Sequence, residues 1–124
     1  MWGKRSAAEA RAAAGGEVVC DKMANCFGVS SRGMTQIRGN GCLCLGSEQL
    51  VFVQWIPRRK LEIPRSMLLR VEEVMSHLGA TKGVLLVKVT FTNASGVEDS
   101  VAWVVRDRVR WMNELTAIVS RDAV

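Results

Sequence analysis

From Gly15-Gly16 onward the chain is a succession of short apolar runs separated by turn residues. "EVVCDKM" has the β-branched start of a first strand, and "ANCFGVSSRGMTQIRGNG" reads as a long irregular connection into a second. "CLCL" alternates, with Leu43 and Leu45 on one face and Cys42 and Cys44 on the other. After the turn "GSEQ", the run "LVFVQWI" is apolar on both faces. Leu50 and Phe52 share one of them, and Val51, Val53 and Trp55 share the other. A hairpin-sized "PRR" leads into "KLEI", with Leu61 and Ile63 inward and Lys60 and Glu62 outward. The clearest hairpin is "VLLVKVTFT", "NASG" and "VEDSVAWVV". It places Leu85, Val87, Val89 and Phe91 on one face of its first strand, and Val97, Val101, Trp103 and Val105 on one face of its second.

Two segments follow a longer period. In "MLLRVEEVMSHLG" Leu68, Val71, Met75 and Leu78 fall at helical spacing, so periodicity alone favours a helix there. In the last segment Asp107 is placed to cap a helix whose buried stripe is Trp111, Met112, Leu115, Ile118 and Val119. The Ala-rich opening is expected to be a flexible or short helical tail over residues 1–15, followed by a domain over 16–120 and a short tail over 121–124. Glu9 argues against an organellar presequence.

Composition narrows the class. A chain of 124 residues with 48% hydrophobic and 23% charged residues suits one folded domain and excludes a disordered segment. The net charge of +5 is modest and interleaved with acids, and no nucleic-acid-binding signature accompanies it, so no nucleic-acid partner is expected. No apolar run is long enough for a membrane span, and no secretory signal is visible. The expectation is therefore cytoplasmic, with the four cysteines (Cys20, Cys26, Cys42 and Cys44) reduced and no disulfide.

Strands running into one C-terminal helix, with "VRDRVRWMNELTAI" carrying Trp111 and Leu115, resemble the pleckstrin-homology-like superfamily. The stretch "GNGCLCLGSEQLVFVQWIPRRKLEIPRSMLLRVEE" resembles its GRAM branch at Leu50, Phe52, Ile63 and Pro64. Other segments are similar to small uncharacterised PH-like proteins. The resemblance implies a mainly β fold: a partly open barrel of two orthogonal antiparallel sheets, about seven strands, capped by one C-terminal helix. It also implies that Arg70 to Met75 is a strand, against the period count.

The same resemblance directs attention to one barrel end, where Lys22, Arg32, Arg38, Arg58, Arg59 and Lys60 would offer a basic rim to a phosphoinositide headgroup or an anionic membrane surface. Gln36 stands where the headgroup pattern wants a cation, and Glu98 and Asp99 oppose phosphate, so a merely solvated rim competes with this reading. Val51, Val53, Trp55 and Ile56 form a candidate interaction surface, unless the N-terminal segment or the long loop covers it. Cysteine spacing does not match a structural zinc site, and buried apolar roles suit these residues better. His77 is the sole histidine, with no nucleophile elbow or carboxylate pair to serve it, and is expected to make one local hydrogen bond in a turn. The expected function is non-catalytic: a module for protein interaction or self-association, without cofactor. Peripheral binding to anionic lipid is the alternative, and a small enzyme or a metal-binding protein a remote one.

Overall fold

The computed structural model describes residues 2–31, 38–79 and 83–122. Its elements are α1 (Trp2–Ala14), β1 (Val19–Val29), β2 (Arg38–Leu45), β3 (Gln49–Gln54), β4 (Arg59–Pro64), β5 (Leu68–Val74), β6 (Leu86–Thr92), β7 (Glu98–Val104) and α2 (Arg108–Asp122). The seven strands form one antiparallel sheet in the order β4-β3-β2-β1-β7-β6-β5, so β4 and β5 are its free edges. The fold is mainly β, with a helix at its C-terminal end.

The sheet curls strongly. In a flat sheet β3 and β7 would lie three strand spacings apart, about 14 Å. Yet the rings of Phe52 (β3) and Trp103 (β7) are 5.9 Å apart, tilted by 58°. Leu43, Leu45, Leu50, Phe52, Leu61 and Ile63 from one half therefore meet Val87, Val89, Phe91, Val101 and Trp103 from the other in a single core. Trp111, Leu115 and Ile118 of α2 complete it. Asp107 caps α2 as its sequence position suggests, its Oδ1 accepting from the Arg110 N–H at 3.3 Å. A buried carboxylate anchors the same end: Asp21 accepts from the Arg106 backbone N–H (2.7 Å) and Nε (3.1 Å), tying β1 to the entry of α2.

Three expectations change, and the strand that the resemblance implied is present. "ANCFGV" belongs to β1, which runs on to Val29 through two register irregularities; bulges let a segment carrying Asn25 and Gly28 stay in the sheet. "LLRVEEV" is the strand β5, as the resemblance implied from Arg70 onward; the helical period misleads because an edge strand buries residues unevenly and loses clean alternation. Val97 is 59% exposed in the β6–β7 turn and does not join the apolar face of β7. Finally, Cys20 and Cys44 are disulfide-bonded, correcting the expectation of reduced thiols; β1–β2 pairing sets them directly opposite each other.

The opening segment is helical and docked. Ala7, Ala10 and Ala14, spaced three and four apart, lie buried against Cys42, Cys44, Val51 and Val53 on the outer face of β2 and β3. Small side chains let the helix sit close to the strands. Its C-terminus closes in a Schellman arrangement: Gly16 N–H donates to Arg11 O (3.0 Å) and Gly15 N–H to Ala12 O (3.3 Å). Positive φ at Gly15 (84°) and Gly16 (105°) makes glycine the natural choice at both positions. The β2–β3 turn then grips the helix end through Glu48 N–H to Ala14 O (2.9 Å), Gln49 Nε2 to Ala13 O (2.9 Å) and Ser47 Oγ to Gly15 O (2.8 Å).

Candidate functional site

The docked helix covers much of the face expected to meet a partner. Val51 and Val53 are fully buried beneath α1, Trp55 is half-buried beside them, and only Ile56, 64% exposed at the β3–β4 turn, remains outside. Two of the four candidate interaction residues are thus core residues of a helix–sheet contact, which corrects that surface.

The basic set is spread out. Arg32 lies outside the described residues. Arg38 opens β2 and donates through Nε to Phe27 O (3.2 Å). Trp55 N–H bonds to Asn40 O (3.1 Å), so the β3–β4 turn with Arg58 and Arg59 shares an end with Arg38. Arg58 is ion-paired with Glu9 of α1, and Lys60 Nζ lies 3.5 Å from Glu9 and 3.6 Å from Glu62. Lys22 is exposed on β1. Its strand is separated from Lys60 on β4 by β2 and β3. Among the described cations of this set, Arg58 and Lys60 share the carboxylate of Glu9.

His77 is buried, and its Nε2 lies 2.9 Å from Gly28 O. A carbonyl only accepts, so Nε2 carries the proton. The bond spans 49 residues and is not local, as the sequence had suggested. Burial holds the imidazole pKa below its ordinary value; the Gly28 bond and Asp99 oppose this, while Lys88 and Arg38 reinforce it. The folded state therefore favours the neutral ring. This stability is fully present above the unfolded value near 6.5 and is lost as pH falls from there through the folded value. The His77 share of the unfolding free energy, from denaturant titrations between pH 7.5 and 5, should fall with a slope of at most about 1.4 kcal/mol per pH unit, and His77→Gln should flatten that part of the profile. The Asp99 carboxylate accepts from Ser31 N–H and Oγ, Ser100 N–H and Asn93 Nδ2. The thiols outside the disulfide are shifted by burial, which pushes Cys26 up to about 12 and raises Cys42. Among the described residues no group of three or more His, Cys, Asp or Glu side chains is placed to hold a metal ion.

A candidate opening lies elsewhere. A groove of about 780 Å³ runs along β4, touching every residue from Lys60 to Pro64. Consecutive strand residues face opposite sides, so a groove that meets all five follows the free backbone edge. Across it stand Phe91 and the β6–β7 turn, Asn93–Gly96, with Val29, Ser31 and Asp99 between. This seam lies along the free edge of β4 and is walled on its other side by the ends of β1 and β6 and the β6–β7 turn.

The hydrogen-bonding phase of that edge follows from one contact. Arg65 N–H donates to Glu48 O (3.1 Å), which makes Gln49 and Pro64 a non-hydrogen-bonded pair. Leu50–Ile63, Phe52–Leu61 and Gln54–Arg59 then exchange the bonds between β3 and β4. The N–H and C=O groups of Lys60 and Glu62 consequently point away from β3, into the seam. Sequence inspection missed this site because its walls come from three distant segments. Its one local signal was "KLEIP", since outward charges and a terminal proline mark an edge strand.

No family model, curated protein or solved structure matches this chain. Among the described residues no helix is long and apolar enough to cross a membrane.

Proposed function

We propose that this protein is a non-catalytic, pleckstrin-homology-like binding module that captures an extended polypeptide segment along β4 by strand addition. The barrel-like part of this reading draws on the strand order, the long bulged β1 shared by both halves, the meeting of Phe52 with Trp103, and the C-terminal helix. The functional part rests on the seam, whose volume falls within the usual range of binding sites. The outward amides and carbonyls of Lys60 and Glu62 supply the hydrogen bonds.

Glu62→Pro is the selective test. It removes an outward N–H at an edge position where proline is tolerated, so the fold should survive with a loss of about 1 kcal/mol or less. Panning a library of linear decapeptides should yield binders that shift the Lys60 and Glu62 amide resonances and lose about tenfold in affinity for the variant. Binders unaffected by the variant would place recognition away from this edge.

A second reading, contact with an anionic membrane surface, draws on the exposure of Ile56 beside Arg58 and Arg59. Sedimentation with anionic vesicles, absent with zwitterionic ones and abolished by Ile56→Ser, would support it.

A further inference from the structure

The two residues of β4 whose backbone faces the seam also carry opposite charges. Lys60 and Glu62 send their side chains to the outer face, paired with Val53 and Val51 of β3, while Leu61 between them is directed inward to the core. A strand added in antiparallel register exchanges hydrogen bonds with Lys60 and Glu62 and sets one of its own side chains directly opposite each. Opposite charges in such positions attract and like charges repel. The residue between them meets Leu61 on the inner side, where Val29, Ile63 and Phe91 line the seam.

We propose that the seam selects an extended segment carrying, from N- to C-terminus, a cation, an apolar residue and an anion. The cation lies opposite Glu62, the apolar side chain opposite Leu61, and the anion opposite Lys60. This deepens the strand-addition reading and depends on it. The present partners of the two charges leave them available. Lys60 is held only at 3.5 and 3.6 Å by Glu9 and Glu62, and Glu62 accepts from Gln49 Nε2 at 3.3 Å, all in half-exposed positions. A directly opposed ion displaces such contacts readily. The occupant is a single extended segment of another protein, read from the alternation of anion, apolar residue and cation that Glu62, Leu61 and Lys60 present along the edge.

The chain's own β4 reads Lys60-Leu61-Glu62, which is the favoured order and supplies a probe. Three labelled decapeptides of matched flanks, centred on Lys-Leu-Glu, Glu-Leu-Lys and Gln-Leu-Gln, are titrated against the full chain by fluorescence anisotropy. Lys-Leu-Glu should bind about threefold to thirtyfold more tightly than Glu-Leu-Lys, with Gln-Leu-Gln between them. The gap should narrow as salt rises. Lys60→Glu/Glu62→Lys should invert the preference; its fold is checked by thermal melting, and if it melts early the reversed peptide on the unaltered protein decides alone. Equal binding of all three would overturn the charge order while leaving strand addition standing. No binding by any of them would remove the seam reading itself. Light scattering that shows a dimer dissolved by the Lys-Leu-Glu peptide would assign the edge to a second copy and overturn the single-segment occupant.

Discussion

Trp103→Ala should lower stability by about 3–5 kcal/mol, as read from urea denaturation followed by far-ultraviolet circular dichroism. Trp103 is fully buried, pairs with Cys26 of β1 and Val87 of β6, and packs on Phe52 from the opposite half of the sheet. Its removal opens a cavity where the two halves meet. Since small domains are held by about 5–15 kcal/mol in all, the variant should sit near the threshold of folding. Trp103→Phe should be far milder. The indole Nε1 is buried without a hydrogen-bond partner among the described residues, so losing the N–H sacrifices no bond. A double-mutant cycle with Phe52→Ala should show coupling above about 0.5 kcal/mol, because the two rings touch. Strict additivity would mean that the halves do not support each other through this pair.

Breaking the Cys20–Cys44 cross-link should lower stability by about 3 kcal/mol. The two cysteines are 24 residues apart, and closing a loop of that length in the unfolded chain accounts for the magnitude. The bonded sulfurs lie beneath the C-terminal end of α1, and Cys44 is fully buried. Equilibrium unfolding with and without reductant should show the shift in the unaltered protein and none in Cys20→Ala/Cys44→Ala. An unchanged midpoint in the unaltered protein would mean that the pair contributes no covalent constraint.

What the sequence disclosed follows from how each segment is buried. "VLLVKVTFT" and "VEDSVAWVV" could be read because their strands bury one face consistently, and the stripe of Trp111, Leu115 and Ile118 because α2 has a single apolar side. The docking of α1 was hidden by its chemistry: Ala7, Ala10 and Ala14 look like bland helix formers, and only the strand surface they meet makes them core. β5 misled because Arg70, Glu72 and Glu73 are exposed on an edge that shows little alternation. The pairing of Cys20 with Cys44 depends on the β1–β2 register, which no local pattern encodes. The seam was out of reach for a related reason. Ser31, Leu61 and Asn93 meet only after the sheet has curled, and the outward aim of Lys60 and Glu62 turns on one backbone bond from Arg65.

The junction of β1 with β7 also bears on how quickly this molecule reaches its shape. Asn25 pairs with Val104, whereas β1 to β4 are joined consecutively through neighbours in sequence. The first four strands can zip from short loops as the chain emerges from the ribosome, but the curl that unites the core must wait for almost all of it to be made. Long-range closure of this kind places refolding toward the slower end of small domains, on the order of milliseconds to seconds. Until then the inner faces of Phe52 and Leu61 lack their partners from β6 and β7, leaving apolar surface of the nascent meander open to water.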